Sequence, residues 1–361
     1  MKILHIHSDR KFIVDTFTSF NDPSIENTVI YLGEPFQYDK PMVFMPFSRK
    51  NADRIASEAK QFDAVVFYSL RLEHAVICGK LDKGVTVLWR FFGGELYQLM
   101  GEELLSTESK RYFKKAPVHH VLSVIKNTIL YSSSAESAFK KAVKRSDFLM
   151  GLSDMEYDSL KKRFQDLPPF IQLPYYINAK DFELTSKQNI IILGHSRDFY
   201  GNHLEVLRGL DSSQQLDNYN YVMFFSYGVS SEEYNGAVLN MASSHTSVRV
   251  ITDFLDREDY YNILNNASAM VINSYRQMGM GNVFQAFLRG IKVYLNEKNV
   301  MYGWLLKEGF EVFNLEHFYK DISNRHIQLS EEQAMKNVNA INNLAIKYSV
   351  ASFCEKVLTL K

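Results

Sequence analysis

The sequence contains little cysteine and no long apolar run. Its two cysteines, Cys78 and Cys354, are far apart in the chain and show no metal or redox spacing. Such scarcity fits a reduced, cytosolic setting. No uninterrupted apolar run approaches the roughly 20 residues that span a bilayer, and the first residues lack the apolar core of a signal peptide. Any membrane contact is therefore expected to be peripheral.

Net charge is also absent, because 41 lysines and arginines balance 41 aspartates and glutamates. This balance does not indicate a nucleic-acid partner. The charge is nevertheless uneven along the chain. Residues 1–146 hold 21 basic and 16 acidic side chains, a net of +5, and residues 147–361 hold 20 and 25, a net of −5.

The basic excess is concentrated in residues 110–145. Nine lysines and arginines lie there, and apolar residues at positions 118, 121, 122, 125 and 129 share one helical face. A basic amphipathic helix of this kind can lie on an anionic membrane surface. An ordinary core-facing helix with solvated lysines is the alternative interpretation.

At 361 residues the chain is long enough for two domains. Short β-branched runs alternate with helical patterns in both halves, which predicts an α/β fold with two Rossmann-like domains facing each other across a cleft. We expect the N-terminal domain to cover 1–180 and the C-terminal domain 187–340. A last helix within 341–361 could cross back to the N-terminal domain, and the prolines after residue 167 predict a linker up to Lys187.

A glycine-containing loop follows the apolar run 269–272. It reads Arg276-Gln277-Met278-Gly279-Met280-Gly281-Asn282, and helical spacing resumes at Val283. Glycines allow close approach of the backbone, and a helix N-terminus offers free N–H groups to a phosphate. We interpret Arg276, Gly279, Gly281 and Asn282 as a diphosphate site. Glycines that only turn the chain tightly are the alternative.

Other polar residues follow strands of the same half. His195, Ser196, Arg197 and Asn202 come after the run 189–193, and Tyr227 and Phe254 follow the next two strands. In parallel sheets these positions meet at one edge, where ligands bind. For Asn202, simple capping of the next helix is the alternative.

Two carboxylates occupy equivalent positions in the first half. Asp9 follows the strand 2–6, and Glu95 follows the strand 85–89 after a glycine pair. Both are expected at the ligand-binding edge of the first sheet. The alternatives are a helix cap for Asp9 and a dipole-stabilising first-turn residue for Glu95.

Several local sequences resemble glycosyltransferase family 56, represented by the Fuc4NAc transferase of enterobacterial common antigen synthesis. Trp89-Arg90-Phe91-Phe92-Gly93-Gly94-Glu95-Leu96-Tyr97 resembles its Trp-x-x-x-Gly-x-(Asp/Glu)-Leu-Tyr motif. Residues 193–198 with Asn202-His203 resemble its Gly-Asn-Ser-x-Asp…Asn-x-His loop, although His195 replaces an asparagine. Residues 276–281 match its Arg-Gln-x-Gly-x-Gly, Leu295-Asn296 its Leu-Asn, and Ser8-Asp9 also match.

The resemblance implies a GT-B enzyme that moves a deoxyamino sugar from a dTDP-sugar donor to an undecaprenyl-diphosphate-linked saccharide. The reaction would take place at the cytoplasmic face of the inner membrane, which fits the basic segment 110–145. The nucleotide-sugar is then a substrate, and no cofactor is expected. The sequence contains no Asp-x-Asp, in agreement with a metal-independent GT-B enzyme.

Within this hypothesis the second domain binds the donor. Its diphosphate would lie against Ser196, Arg197, Arg276 and the loop 279–282, with Tyr227 and the turn 252–255 around the base. Asp9 or Glu95, across the cleft, would deprotonate the acceptor hydroxyl.

Two alternative functions stay open at this point, and a third is disfavoured. A nucleotide-sugar epimerase of the same fold would need no lipid acceptor, and a nucleotide-binding scaffold of polysaccharide assembly would show no turnover. A dinucleotide oxidoreductase is disfavoured, because the full glycine fingerprint is absent after the first strand.

Overall fold

The computed structural model describes residues 1–113, 135–175, 182, 187–216 and 218–360. They form two compact units, each built around one sheet. The first unit lies within Met1–Gln98, Lys115–Tyr176 and Ala345–Lys361, and the second within Leu99–Lys114 and Ile177–Leu344. The N-terminal stretch predicted as one domain therefore contributes residues 99–113 to the second unit.

The first unit contains a seven-stranded parallel sheet in the order β3-β2-β1-β4-β5-β6-β7. Its strands are β1 Lys2–His7, β2 Glu26–Tyr31, β3 Val43–Phe44, β4 Ala64–Tyr68, β5 Thr86–Arg90, β6 Phe148–Gly151 and β7 Phe170–Gln172. The helices are α1 Ile13–Ser19, α2 Arg49–Glu58, α3 Leu72–Cys78, α4 Gly94–Met100, α6 Ala135–Arg145, α7 Asp154–Arg163 and α15 Val350–Leu358, with 3-10 turns at Arg10–Phe12 and Ala59–Gln61. Every residue of β4 is buried, as expected for a parallel strand covered on both faces.

The strand β7 corrects the predicted linker. Leu149 pairs with Phe170 in register, so three residues of that proline-flanked stretch extend the sheet. A three-residue strand beside prolines carries too little periodicity to be recognised. Its position at the edge of the sheet is the place where flanking prolines cost least.

The C-terminal helix α15 buries its apolar side in the core of the first unit. Phe353, Cys354 and Val357 pack in one cluster with Ile3, Phe20 and Ile25 of the N-terminal elements. The Cys354 thiol donates to the carbonyl of Ser19 at 3.5 Å. Residues more than 300 positions apart thus share one core.

The second unit contains a six-stranded parallel sheet in the order β10-β9-β8-β11-β12-β13. Its strands are β8 Ile190–Leu193, β9 Asn220–Phe224, β10 Val248–Ile251, β11 Ala267–Ile272, β12 Lys292–Leu295 and β13 Phe313–Asn314. Its helices are α5 Thr107–Lys110, α8 His203–Ser212, α9 Glu232–Ser243, α10 Arg257–Asn266, α11 Met280–Phe287, α12 Val300–Lys307, α13 Leu315–Ser323 and α14 Glu331–Lys347, with 3-10 turns at Gly101–Leu104 and Phe199–Gly201.

Local capping chemistry explains several of these boundaries. Ser231 and Asp256 accept hydrogen bonds from the backbone N–H groups of Tyr234 and Asp259. Ser330 and Gln333 form a capping box, because the side chain of each accepts from the backbone N–H of the other. These caps satisfy donors that a helix leaves open at its first turn.

Most of the basic segment 110–145 falls in residues 114–134, outside the described residues. In its described part, α6 buries Ala138, Ala142 and Val143 and exposes Lys140 and Lys141. Along the described ranges, no helix is long and apolar enough to span a bilayer.

A network of buried histidines lies beneath the carboxyl end of β1. His5 Nε2 is 2.8 Å from Asn27 Oδ1, and His7 Nε2 is 2.8 Å from Thr16 Oγ1. His74 Nδ1 is 2.7 Å from the carbonyl oxygen of Ser69. Burial lowers the pKa of His5 to about 3 and that of His74 to about 4, and it lowers the pKa of His7 well below its usual range.

These histidines predict an acid-sensitive first unit. In the unfolded chain these histidines are protonated below about pH 6.5. In the folded protein His5 is protonated only below about pH 3 and His74 only below about pH 4. Stability is therefore full above pH 6.5 and is lost as the pH falls. Each such histidine removes about 1.4 kcal/mol of unfolding free energy per pH unit. Chemical denaturation between pH 7.5 and 4.5 would measure this slope. His74→Gln should make it shallower, and exposed His326→Gln should not; equal slopes in all three proteins would contradict the prediction.

Candidate functional site

The second sheet reverses its strand order between β8 and β11. From β8 the chain adds β9 and β10 on one side, then returns to add β11, β12 and β13 on the other. The loops 194–202 and 273–279 leave these two central strands at their carboxyl ends. In open α/β sheets such a reversal is the place where ligands bind.

Helix α11 begins at this reversal without a side-chain cap. Its N-cap is Gly279, in the left-handed conformation at φ +64°, and this residue makes no side-chain capping hydrogen bond. A Cβ on Gly281 would meet no atom within 4 Å. The first N–H groups of a helix have no partner within the helix, and the dipole is positive there. The geometry therefore suits an anion at the residues predicted to hold a diphosphate.

His195 lies over Gly279. A Cβ at position 279 would come within 2.9 Å of the imidazole, so the glycine makes room for this ring as well as for its own backbone conformation. Burial and the nearby charge of Arg276 lower the pKa of His195 to about 4. His195 is thus a neutral group beside the loop, and it offers hydrogen bonds rather than charge.

Arg276 forms an ion pair that the sequence does not predict. Its Nη2 lies 3.6 Å from Asp198 Oδ2, and both side chains are largely buried. The guanidinium also lies 5.2 Å from the centre of the Tyr200 ring, and its Nη1 donates to the carbonyl of Gln277 at 3.2 Å. Asp198 was not predicted as a site residue. The pair joins the loops that follow β8 and β11.

The other predicted residues of the β8 loop differ in exposure. Arg197 is exposed, and its Nε donates to the carbonyl of Gly228 at 3.2 Å. Ser196 is buried. Asn202 is fully buried, with its amide bonded inside the unit to Ser106 and to the carbonyl of Asn273. This differs from the expected ligand contact, because Asn202 lies beneath the loop and not on its open face.

The predicted base-binding residues are only partly brought together. Tyr227 is half-exposed, and its ring lies 6.5 Å from that of His195. Asn282 Oδ1 accepts from the Tyr260 hydroxyl at 2.9 Å. Phe254 extends into solvent after the edge strand β10, with 83% of its surface exposed.

Sequence reasoning missed the asparagines that support this edge. Asn299 Nδ2 donates to the carbonyl of Arg276 at 2.8 Å, and Asn296 Nδ2 donates to Asn273 Oδ1 at 2.7 Å. Asn273 and Asn296 directly follow β11 and β12. A polar amide immediately after a buried strand was the signal that could have indicated them.

The strand order of the first sheet reverses between β1 and β4. Both predicted carboxylates follow strands of this sheet at their carboxyl ends, Asp9 after β1 and Glu95 after β5. Asp9 caps the turn Arg10–Phe12 and lies 3.4 Å from Arg71 Nη2, with 27% of its side chain exposed. Glu95 is buried in the first turn of α4. Its Oε1 accepts from Trp89 Nε1 at 3.2 Å and from the Leu70 amide at 3.3 Å.

Burial raises the pKa of the Glu95 carboxyl, and the hydrogen bonds from the Trp89 side chain and the Leu70 amide only partly oppose it. A carboxylate whose proton affinity is raised in this way is better suited to accept a proton near neutral pH. The helix-cap interpretation of Asp9 and the first-turn position of Glu95 are both seen. Both residues follow the carboxyl ends of strands of the first sheet, as the sequence predicts, and their catalytic role stays a prediction.

Across the described ranges, no group of three or more histidine, cysteine, aspartate or glutamate side chains is arranged to hold a metal ion.

No family model matches the sequence, and no curated protein sequence is significantly similar to it. Solved structures do match over nearly the whole chain. Anabaena Alr3699/HepE in complex with UDP-glucose has 11% identity and a TM-score of 0.65, and the match covers 99% of this chain and 98% of that one. The lipopolysaccharide outer core galactosyltransferase WaaB has 11% identity and a TM-score of 0.60, with 99% of both chains covered.

WaaG, a glycosyltransferase of lipopolysaccharide biosynthesis, has 12% identity and a TM-score of 0.56, with 99% and 98% of the chains covered. At these identities the likeness concerns the fold. The predicted fold class is confirmed: the chain has the two Rossmann-like domains of the GT-B glycosyltransferase fold.

Proposed function

We propose that this protein is a glycosyltransferase that binds the diphosphate of a nucleotide-sugar at the start of α11. The observation that carries the proposal is the N-terminus of α11 at the β8–β11 reversal. Its N-cap residue, Gly279, has no side chain to bond the first N–H groups, and Arg276 lies in the same loop. Among the structures of similar fold, HepE is described with UDP-glucose, and WaaB is named as a galactosyltransferase.

The arrangement fits the charge that develops in glycosyl transfer. When the bond between sugar and diphosphate breaks, negative charge grows on the leaving phosphate. Backbone N–H groups of α11 would donate to its oxygens, and the guanidinium groups of Arg197 and Arg276 would offset the charge. In this proposal the nucleotide-sugar is a substrate, and neither a cofactor nor a metal ion takes part.

The finer assignment rests on the family 56 resemblance. The donor would be a dTDP-linked deoxyamino sugar similar to Fuc4NAc, and the acceptor a polyprenyl-diphosphate-linked saccharide used in bacterial surface polysaccharide synthesis. Residues 110–145 would bring the enzyme to the cytoplasmic face of the inner membrane. Calorimetric titration with UDP and dTDP, followed by their sugar conjugates, would test the nucleotide and the sugar separately.

The acceptor hydroxyl must lose its proton, and Asp9 and Glu95 are the proposed bases. Asp9 is the more exposed of the two, and its carboxylate is paired with Arg71. Glu95 has the raised pKa but is buried. Each property favours a different residue, so the assignment needs variants of both.

Replacing Arg276 should weaken nucleotide binding. We expect Arg276→Ala to raise the Kd for the nucleoside diphosphate about 10- to 100-fold, because a hydrogen bond from a charged group contributes about 1.5–3 kcal/mol. Titration calorimetry at constant salt concentration is the measurement. Arg249→Ala, an exposed arginine on the edge strand β10, is the control and should bind as the wild type does.

Asp198 provides a second arm of this test. Asp198→Asn removes the carboxylate that competes for Arg276 and should leave binding unchanged or stronger. An Arg276→Ala protein with wild-type affinity would argue against the diphosphate site.

Neutral isosteres should identify the base. Glu95→Gln keeps an oxygen for Trp89 Nε1 and the Leu70 amide, so its thermal stability should stay near wild type. If Glu95 is the base, transfer should fall about 100-fold or more without a change in nucleotide affinity. The same holds for Asp9→Asn. Asp53→Asn, on the exposed side of α2, is the control. Wild-type transfer in a variant removes that residue from the role.

The product distinguishes the alternative functions. A glycolipid product supports the transferase, and an altered nucleotide-sugar with no glycolipid would indicate the epimerase. Nucleotide binding without turnover on any donor and acceptor pair would indicate the scaffold.

A further inference from the structure

Residues 99–113, here called the brace, fold onto the second unit although they are separated from its other residues in the chain. The brace contains the 3-10 turn Gly101–Leu104 and the helix α5. A four-residue helix has little stability of its own, because the first turn is costly to form. Contacts with the rest of the unit must therefore hold it in place.

Helix α8 supplies one set of these contacts. Glu205 Oε1 accepts from the backbone N–H groups of Glu108 and Ser109, at 2.7 and 3.0 Å, and Oε2 accepts from Ser109 Oγ. The carboxylate thus caps α5 from another helix, where negative charge is favoured. Arg208, one turn further along α8, lies 2.7 Å from Glu108 Oε2.

The side chain of Asn202 supplies the second set of contacts with the brace, and it also bonds to the residue that follows β11. Its Oδ1 accepts from both the amide and the hydroxyl of Ser106 at 2.9 Å. Its Nδ2 donates to the carbonyl of Leu104 at 3.3 Å and to the carbonyl of Asn273 at 3.1 Å. The side chain is therefore shared between the brace and the end of β11.

The contacts of Asn202 continue along the edge of the sheet. Asn273 Nδ2 donates back to the Asn202 carbonyl at 3.0 Å, and Asn296 Nδ2 donates to Asn273 Oδ1. Asn299, three residues after Asn296, holds the carbonyl of Arg276. We call Asn202, Asn273 and Asn296 the asparagine chain. It connects the brace with the end of the loop that follows β8 and with the ends of β11 and β12.

The backbone at Asn202 gives this residue a further role in positioning. Its φ is +50°, a left-handed conformation that asparagine adopts more readily than most residues. Asn202 both ends the turn Phe199–Gly201 and precedes α8. That turn follows Asp198, which pairs with Arg276. It also contains Tyr200, whose ring packs against the Arg276 guanidinium.

We propose that Asn202 is a positioning residue that couples the docked brace to the geometry of the donor loops. The inference rests on the proposed function, because the ligand whose binding it adjusts is the nucleotide-sugar. With its amide in place, the brace, the Asp198 turn and the loop 273–279 form one hydrogen-bonded unit. Without it, the brace loosens and the donor loops lose their fixed spacing.

Two substitutions separate the amide from the backbone conformation. Asn202→Gly keeps access to the left-handed region and removes the amide. Asn202→Asp keeps an oxygen for Ser106 and removes the N–H groups that bond to Leu104 and Asn273. Val238→Ala, a fully buried position of α9, is the control for a general loss of stability.

Nucleoside diphosphate binding is the first measurement. We expect Asn202→Gly to raise the Kd for UDP or dTDP about tenfold, and Asn202→Asp several-fold. Val238→Ala should lower the melting temperature at least as much and leave the Kd unchanged. An Asn202→Gly protein with wild-type Kd overturns the inference, and so does equal weakening in Val238→Ala. If the wild-type protein binds no nucleotide, the proposed function fails, and the coupling is then decided by hydrogen exchange.

Amide hydrogen exchange without ligand tests the coupling independently of the proposed function. Asn202→Gly should speed exchange both in residues 104–109 and in residues 273–279, because both segments bond to this amide. Faster exchange confined to residues 104–109 would show that the brace is anchored but not coupled, and would overturn the inference even if the wild-type protein binds nucleotide.

Discussion

The reversal of strand order between β8 and β11 is the constraint on which the candidate site depends. Parallel strands place all their carboxyl ends at one edge, and the reversal leaves two adjacent loops diverging there. One loop delivers His195, Arg197 and Asp198, and the other delivers Arg276 and Gly279. If β8 and β11 were not adjacent, these five residues would not be neighbours.

Electrostatics at this edge is more balanced than the sequence suggests. Arg276 is paired with Asp198, and His195 is neutral because burial and Arg276 both lower its pKa. The uncapped N–H groups of α11 are therefore the principal donors that the fold itself provides. A carboxylate beside the guanidinium orients it before a ligand arrives, and a doubly charged diphosphate can compete with one carboxylate for the same donors.

Buried amides maintain this arrangement. Asparagine offers two donors and an acceptor without a charge, so it can join several backbone segments in a buried place where an ion would be costly. Asn202, Asn273 and Asn296 use this capacity between the loop after β8 and the ends of β11 and β12. The brace takes part through Ser106, so residues distant in sequence contribute to the rigidity of the donor loops.

The sequence by itself determined the α/β class, most strands and the edge at which polar residues gather. Buried parallel strands are continuous β-branched runs, and polar or glycine residues end them abruptly, so both signals are local. Gly279 and the start of α11 belong to this group, because a glycine before an apolar helical pattern is itself a local signal. The tertiary structure decided the rest. The pairing of Arg276 with Asp198, the burial of Asn202, the strand β7 and the docking of residues 99–113 all depend on contacts between distant segments. The pattern of residues within one segment does not predict which other segment packs against it.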